Sequence, residues 1–330
     1  MEYSFLSLLK KDFKMMLSSK FLLLIIGSLV LYSLYINLVY IKTDQAIYPV
    51  YLFDPAESIE NASSQIIRVD NMEELQLRTS DGYAVGIDAT GAEPKIIMVA
   101  SGLDSSDQIR TAYALSLLSP GQSTPAEVIG QNSKEMKSRR EITSEFLFFE
   151  LAAVGFLGLA STLFKEKHMG VIRIHGVMPI SKSLFIFSKL ILFLLADLVF
   201  AFLLTVINLG LATGLSVLPA ILVQTVILSI IMALVGFFCA AWLPDFRQFS
   251  LLYLVLAIFI TTPVFLVGQT SITWNWINYH PMYHLFMAIK NAYFEMPIGE
   301  TVYYIVCVVF IVALFLVAHK TLTREMAKEG

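Results

Sequence analysis

Residues 198–244 read LVFAFLLTVINLGLATGLSVLPAILVQTVILSIIMALVGFFCAAWLP, 47 consecutive positions without an acidic or basic side chain. A helix needs about 20 apolar residues to cross the hydrocarbon core of a bilayer, so this run is too long for one span. It reads as two spans, turning within residues 214–219, where Gly214 and Pro219 punctuate it. The charge map outward from it supplies the rest. Residues 21–41 carry no charge between Lys20 and Lys42, residues 146–164 carry only Glu150, and residues 248–289 and 301–319 carry none. The expected spans are 21–41, 145–164, 184–212, 219–243, 249–268 and 301–319. Composition agrees, with 57% hydrophobic and 15% charged residues, against roughly 25% charged in soluble domains. The fold expected is an α-helical polytopic membrane protein.

The first run is too long for the apolar region of a signal peptide, about 7–15 residues. The YIKTD that ends it lacks a small-x-small cleavage pattern, so it reads as a retained span. The net charge of −3 gives no reason to expect nucleic acid as a partner. Cys239 and Cys307 both sit inside apolar runs, so no disulfide framework is implied.

Basic residues orient the spans. Lys10, Lys11, Lys14 and Lys20, the loop after the second span, Arg247 and the carboxyl-terminal tail together hold 13 lysines and arginines. The opposite short loops hold only Lys290. The positive-inside rule therefore predicts cytoplasmic termini in the cell membrane. Residues 42–144 form a long external segment with the composition of a soluble domain. Within it, 48–54, 83–88 and 95–101 read as strands and 56–67 and 104–118 as helices, a small α/β unit followed by a linker over 119–133. A helix from about Lys134 runs into the second span. Residues 1–20 place Leu6, Leu9, Phe13 and Met16 on one helical face with Lys10, Lys11 and Lys14 elsewhere. That is the pattern of an amphipathic interfacial helix among lipid headgroups; the alternative is an extension of the first span.

Missing motifs exclude several chemistries. The chain has no G-x-x-x-x-G-K-[ST] phosphate loop, no H-E-x-x-H and no G-x-S-x-G. His280 and His284 stand at the i, i+4 spacing that can bind a metal, but no acidic or cysteine partner stands beside them. A structural role at the membrane interface is the plainer reading.

Residues 164–183 read FKEKHMGVIRIHGVMPISKS. Glu166 precedes Gly170 by four positions, Pro179 follows Gly170 by nine, and Lys189 lies ten beyond Pro179. This spacing resembles the loop after the second span in permease subunits of ATP-binding-cassette exporters, the ABC type-two transporter family. Two positions depart from that family's pattern: Val171 where a Thr is usual, and Ser188 where a Gly precedes the Lys. The LLKKDF at 8–13 and the aromatic NYHPMY at 278–283 also resemble the family's start and its external re-entrant segment, here 269–300.

The resemblance implies a non-enzymatic transport subunit that binds no cofactor, with ATP and magnesium in a partner ABC ATPase. It also implies a second permease chain, identical or related, and a surrounding of membrane lipid. Residues 165–183 would form a coupling helix, with Glu166, Gly170, Pro179 and Lys189 as its coupling residues and Lys165 to Lys167 facing a docking groove. The plainer reading is a solvated connector. The expected cargo is an amphipathic or hydrophobic solute (a drug, peptide or lipid) moving outward. A sodium or small-solute exporter, or a sensor that uses 42–144 as a receptor, is the alternative.

Asp197, Trp274, Tyr279 and His280 are candidates for the transport path. An acid within a span is costly and so suggests function, unless it bonds a neighbouring Ser, Thr or carbonyl. The aromatics are equally explained by an interfacial belt. Asn37, Asn208 and Gln224 read as helix–helix contacts.

Overall fold

A computed structural model describes residues 2–41, 48–56, 59, 65–80, 84–91, 94–100, 104–118, 126–130, 134–177, 181–268 and 275–329. Among them, six helices are long and apolar enough to cross a membrane: Phe21–Tyr40, Glu135–His168, Lys182–Leu209, Leu211–Trp242, Phe246–Leu266 and Thr301–Ala327. Chain contacts divide the molecule into two compact units, one made of Met1–Tyr32, Ser144–Leu204 and Val217–Gly330, the other of Ser33–Thr143 and Thr205–Ser216.

The first unit is a helical bundle. Helix α1 (Glu2–Ser18) ends at Lys20, whose φ of 58° breaks the helical path, and α2 (Phe21–Leu34) starts directly after it. Helix α1 is therefore separate from the first span. Its inner face is Leu8, Asp12 and Met16, all buried, whereas Leu6 and Phe13 stay exposed. In the second span, α5 (Lys134–Ala153) passes through a π-helical stretch at Val154–Gly158 into α6 (Leu159–His168). A short α7 (Val171–Val177) precedes α8 (Lys182–Leu209). Then come α9 (Leu211–Trp242), α10 (Phe246–Gly268), a 3-10 turn (Asn275–Tyr279), α11 (Pro281–Tyr293) and α12 (Thr301–Glu329). Phe148, Phe156, Phe193, Phe237, Phe249 and Phe286 are fully buried and fill the core.

The turn between the third and fourth spans falls earlier than expected. It lies at Gly210, whose φ of +80° is reached at little cost without a side chain, and not within 214–219. Gly210 donates to the Val206 carbonyl and accepts from Gly214, which closes the reversal. Pro219 then sits inside α9, as spanning helices tolerate where neighbours satisfy the freed carbonyl.

The second unit holds a five-stranded sheet of β1 (Val50–Phe53), β2 (Ile66–Arg68), β3 (Val85–Asp88), β4 (Lys95–Val99) and β5 (Ala126–Gly130), in the order β2-β1-β3-β4-β5. All pairs are parallel except β3 with β4. Strand alternation sorts the two faces. Val50 and Leu52 join Ile87, Met98 and Ala114 beneath α4 (Asp104–Leu118), whereas Tyr51 and Phe53 pack with Leu75 of α3 (Met72–Thr79). Arg110 of α4, fully buried, donates to the Val99 and Ala84 carbonyls and so ties that helix to the sheet. Two expectations are corrected. Ile66 and Ile67, read as the end of a helix over 56–67, belong to β2, because pairing with β1 satisfies their backbone. The linker over 119–133 contains β5, which pairs with β4.

Candidate functional site

Helix α6 is the continuation of a span and ends in a tight turn. Met169 donates to the Lys165 carbonyl and Gly170, at φ +69°, to that of Lys167. Gly170 then accepts from Ile174 and α7 begins. A side chain at that φ is strained, which explains glycine at this position. Helix α7 packs on α12. Pro179 lies outside the described residues.

Four charged groups meet beside this turn. Glu166 leaves the inner face of α6, Lys11 and Asp12 come from α1, and Lys189 comes from α8. Lys189 Nζ stands 3.0 Å from Asp12 Oδ1 and 2.8 Å from Glu166 Oε2. Lys11 Nζ stands 2.5 Å from Glu166 Oε1 and 3.3 Å from Asp12 Oδ1. Ser188 donates to the other Asp12 oxygen at 2.7 Å. Asp12, Glu166 and Lys189 are buried at 1%, 0% and 0% exposure. Buried charges persist only when paired, and two cations with two anions leave the cluster neutral. Both ammonium groups also face the Phe185 ring, at 5.4 and 4.5 Å. Burial works against the Lys11 charge, but the Glu166 and Asp12 carboxylates outweigh it and hold its pKa above the ordinary 10.5.

The three charged residues expected to face a docking groove have partners inside the chain. Glu166 is spent inside the chain because it lies on the buried face of α6. Lys165 donates to Ser18 Oγ at 3.1 Å. Lys167 donates to the carbonyls of Ala240, Ala241 and Leu243 at 2.9, 2.9 and 3.0 Å, capping the carboxyl end of α9. The exposed groups of the turn and α7 include His168, Met169 and Ile174. Ser188, a departure from the family pattern, has a partner of its own in Asp12. Sequence reasoning missed Asp12, whose only signal is its place among apolar residues on the inner side of α1.

The path candidates have separate surroundings. Asp197 in α8 is buried and accepts a hydrogen bond from Ser229 of α9 at 2.5 Å. Glu150 of α5 is buried as well and accepts from Ser28 at 2.6 Å and Tyr32 at 3.1 Å. Trp274 lies outside the described residues, and Tyr279 is 89% exposed. His280 precedes α11, buried, with its ring 4.1 Å from that of Phe259 and no hydrogen-bond partner among the described residues. Burial lowers its pKa. His284 points elsewhere, with Nε2 at 2.7 Å from the Asn278 carbonyl. Gln224 accepts from Tyr303 at 2.9 Å. In the other unit Asn37 donates to Asn208 at 3.0 Å and accepts from Arg139 at 2.7 Å.

Among the described residues, no three His, Cys, Asp or Glu side chains gather closely enough to hold a metal. A tight turn ends α6, and a charge cluster joins α1, α6 and α8. No curated protein matches the chain. A family model described as ABC-2 family transporter protein matches residues 14–319. That match takes in five of the six apolar helices whole, the sixth up to residue 319, and the α6–α7 turn, and the chain belongs to the ABC-2 transporter family, as a membrane component that works with a separate ABC ATPase subunit.

Proposed function

We propose that this chain moves an amphipathic or hydrophobic solute (a drug, peptide or lipid) outward across the cell membrane, as one of two permease chains driven by two ATPase subunits. The observation that carries this reading is the α6–Gly170–α7 turn tied to the bundle by the buried charge cluster. A push on α7 has a stiff route into α6, and through Glu166, Lys189 and Asp12 into α8 and α1, the kind of rigid-body transmission that switches membrane helices. An apolar cargo is supported by the acids within the spans, Glu150 and Asp197, which are bonded to hydroxyls of the chain. ATP and magnesium belong to the partner ATPase, and this chain requires neither.

In this reading the coupling surface is the turn and α7, with Met169 and Ile174 meeting the ATPase, and Glu166 and Lys189 act as positioning residues behind it. The excess of basic residues supports cytoplasmic termini and an external sheet unit. Cys239 and Cys307 are buried, so engineered thiols can be read without interference. In intact cells, an impermeant reagent should label Gln76→Cys and spare Ser181→Cys; the reverse pattern contradicts the orientation. Transport is tested by co-reconstituting the chain with its ATPase in vesicles and following ATP-dependent movement of a fluorescent hydrophobic cation and of sodium. Movement of the dye supports the reading, and movement of sodium alone replaces it with the small-solute one.

A further inference from the structure

Lys10 and Lys11 are neighbours with opposite fates. Lys11 is drawn into the charge cluster, whereas Lys10 is exposed and makes no ion pair or hydrogen bond among the described residues. Lys10 lines the mouth of a groove of about 770 Å³ formed by α1, α2 and α8. The floor is Met16, Ile25, Leu29 and Phe200, all buried, and the rim includes Phe13 and Val199, both exposed. Lys10 is the one charged side chain among the lining residues. Lys14, exposed one turn further along α1, stands on the same side of the helix.

An apolar groove of this size falls within the roughly 300–1,000 Å³ of ordinary small-molecule sites. Here two of its three walls belong to helices built to cross a membrane. A molecule that suits it must offer a long apolar chain to the floor and a negative charge to the mouth, where an unpaired ammonium waits. The bilayer itself supplies such a molecule. We propose that the groove between α1, α2 and α8 binds one acyl chain of an anionic phospholipid, whose headgroup phosphate is held by Lys10, with Lys14 adding attraction. The lipid would brace the same helix that carries Asp12 into the charge cluster. The site is independent of what the transporter carries.

Native mass spectrometry of the full chain, purified in detergent and titrated with phosphatidylglycerol or phosphatidylcholine, tests this without a transport readout. The parent should retain one phosphatidylglycerol per chain in preference to phosphatidylcholine. Lys10→Gln should weaken that binding about fivefold, the effect of one basic residue near an anionic surface, and adding Lys14→Gln should weaken it further. Val199→Trp should fill the groove and abolish retention of both lipids. The lysine variants change exposed side chains, so they remain informative if Val199→Trp fails to fold. Equal retention of the two lipids by the parent, or unchanged phosphatidylglycerol retention in either kind of variant, overturns the proposal. Loss of dimer with lipid retention unchanged in Val199→Trp would show instead that the groove receives a second copy of this chain.

Discussion

Two buried acids, Glu166 near the end of the second span and Asp197 within the third, are handled in different ways. Glu166 meets two ammonium groups and shares them with Asp12. Asp197 has a serine hydroxyl from the next helix. The first arrangement gathers three helices by full charges, and losing any member leaves the others unbalanced. The second is a single contact between two helices that a neutral side chain could reproduce. The contrast separates a cluster that holds the bundle together from a polar spot that the bundle merely accommodates.

The largest expected effect follows from removing one charge of the cluster. Glu166→Ala leaves Lys189 buried beside a single carboxylate, and breaking a buried pair costs about 3–5 kcal/mol. Lys189→Met should cost a similar amount, while the double variant should lose less than the two single losses combined. Thermal unfolding of the purified chain measures all three. Additive losses would show that the pair does not interact, and the contrast would collapse.

A smaller effect is expected at Asp197. Asparagine keeps an oxygen to accept from Ser229, so Asp197→Asn should change stability by about 1 kcal/mol or less. If transport survives as well, the residue is structural. A loss comparable to that of Glu166→Ala would place a full charge at Asp197 and erase the distinction between the two acids. Export lost at unchanged stability would instead return Asp197 to the transport path.

The smallest effect concerns His280, a third way of burying a titratable group, whose ring nitrogens have no hydrogen-bond partner among the described residues. Its neutral ring packs on Phe259 at the start of α11, where the helix dipole disfavours a cation. Because its folded pKa is lowered from 6.5, its contribution is complete above that value and declines as pH falls below it. Protection from hydrogen exchange over residues 275–293, taken relative to the intrinsic rate at each pH, should fall on acidification in the parent and stay flat in His280→Asn. Equal acid sensitivity in both would assign the change to another group.

What could be read in the sequence follows from how local each signal is. Gaps between charges mark the spans, because a bilayer excludes charge whatever the neighbours do. Asp104–Leu118 forms as a helix with the bounds its pattern suggests. Helix α3 went unread, although Asn71 caps it by accepting from the Glu74 amide and Glu73 and Glu74 stand in its first turn, because eight residues are a short run for a helical pattern. β5 was not legible, since five residues beside Pro125 become a strand only when β4 is there to pair with them. The turn at Gly210 was hidden because Gly214 and Pro219 carry equally strong local signals. The charge cluster lay furthest out of reach. The spacing of Glu166 and Lys189 is visible, but their partner Asp12 lies 177 positions from Lys189, and only the packed bundle joins them.

In the proposed function, force from the ATPase reaches the membrane helices through this cluster. Asp12→Asn is the sharpest test, because Asp12 joins the cluster from α1 and is buried there, so it is not itself part of the exposed surface of the turn and α7 where the ATPase would dock. The variant should be checked for a monodisperse, inserted protein, then reconstituted with the ATPase and assayed for ATP turnover and solute movement in the same vesicles. Asp12→Asn should still bind the ATPase and support hydrolysis, while the amount of solute moved per ATP falls well below that of the parent. An unchanged ratio of transport to hydrolysis would contradict it, leaving the cluster as a structural tie with no part in coupling.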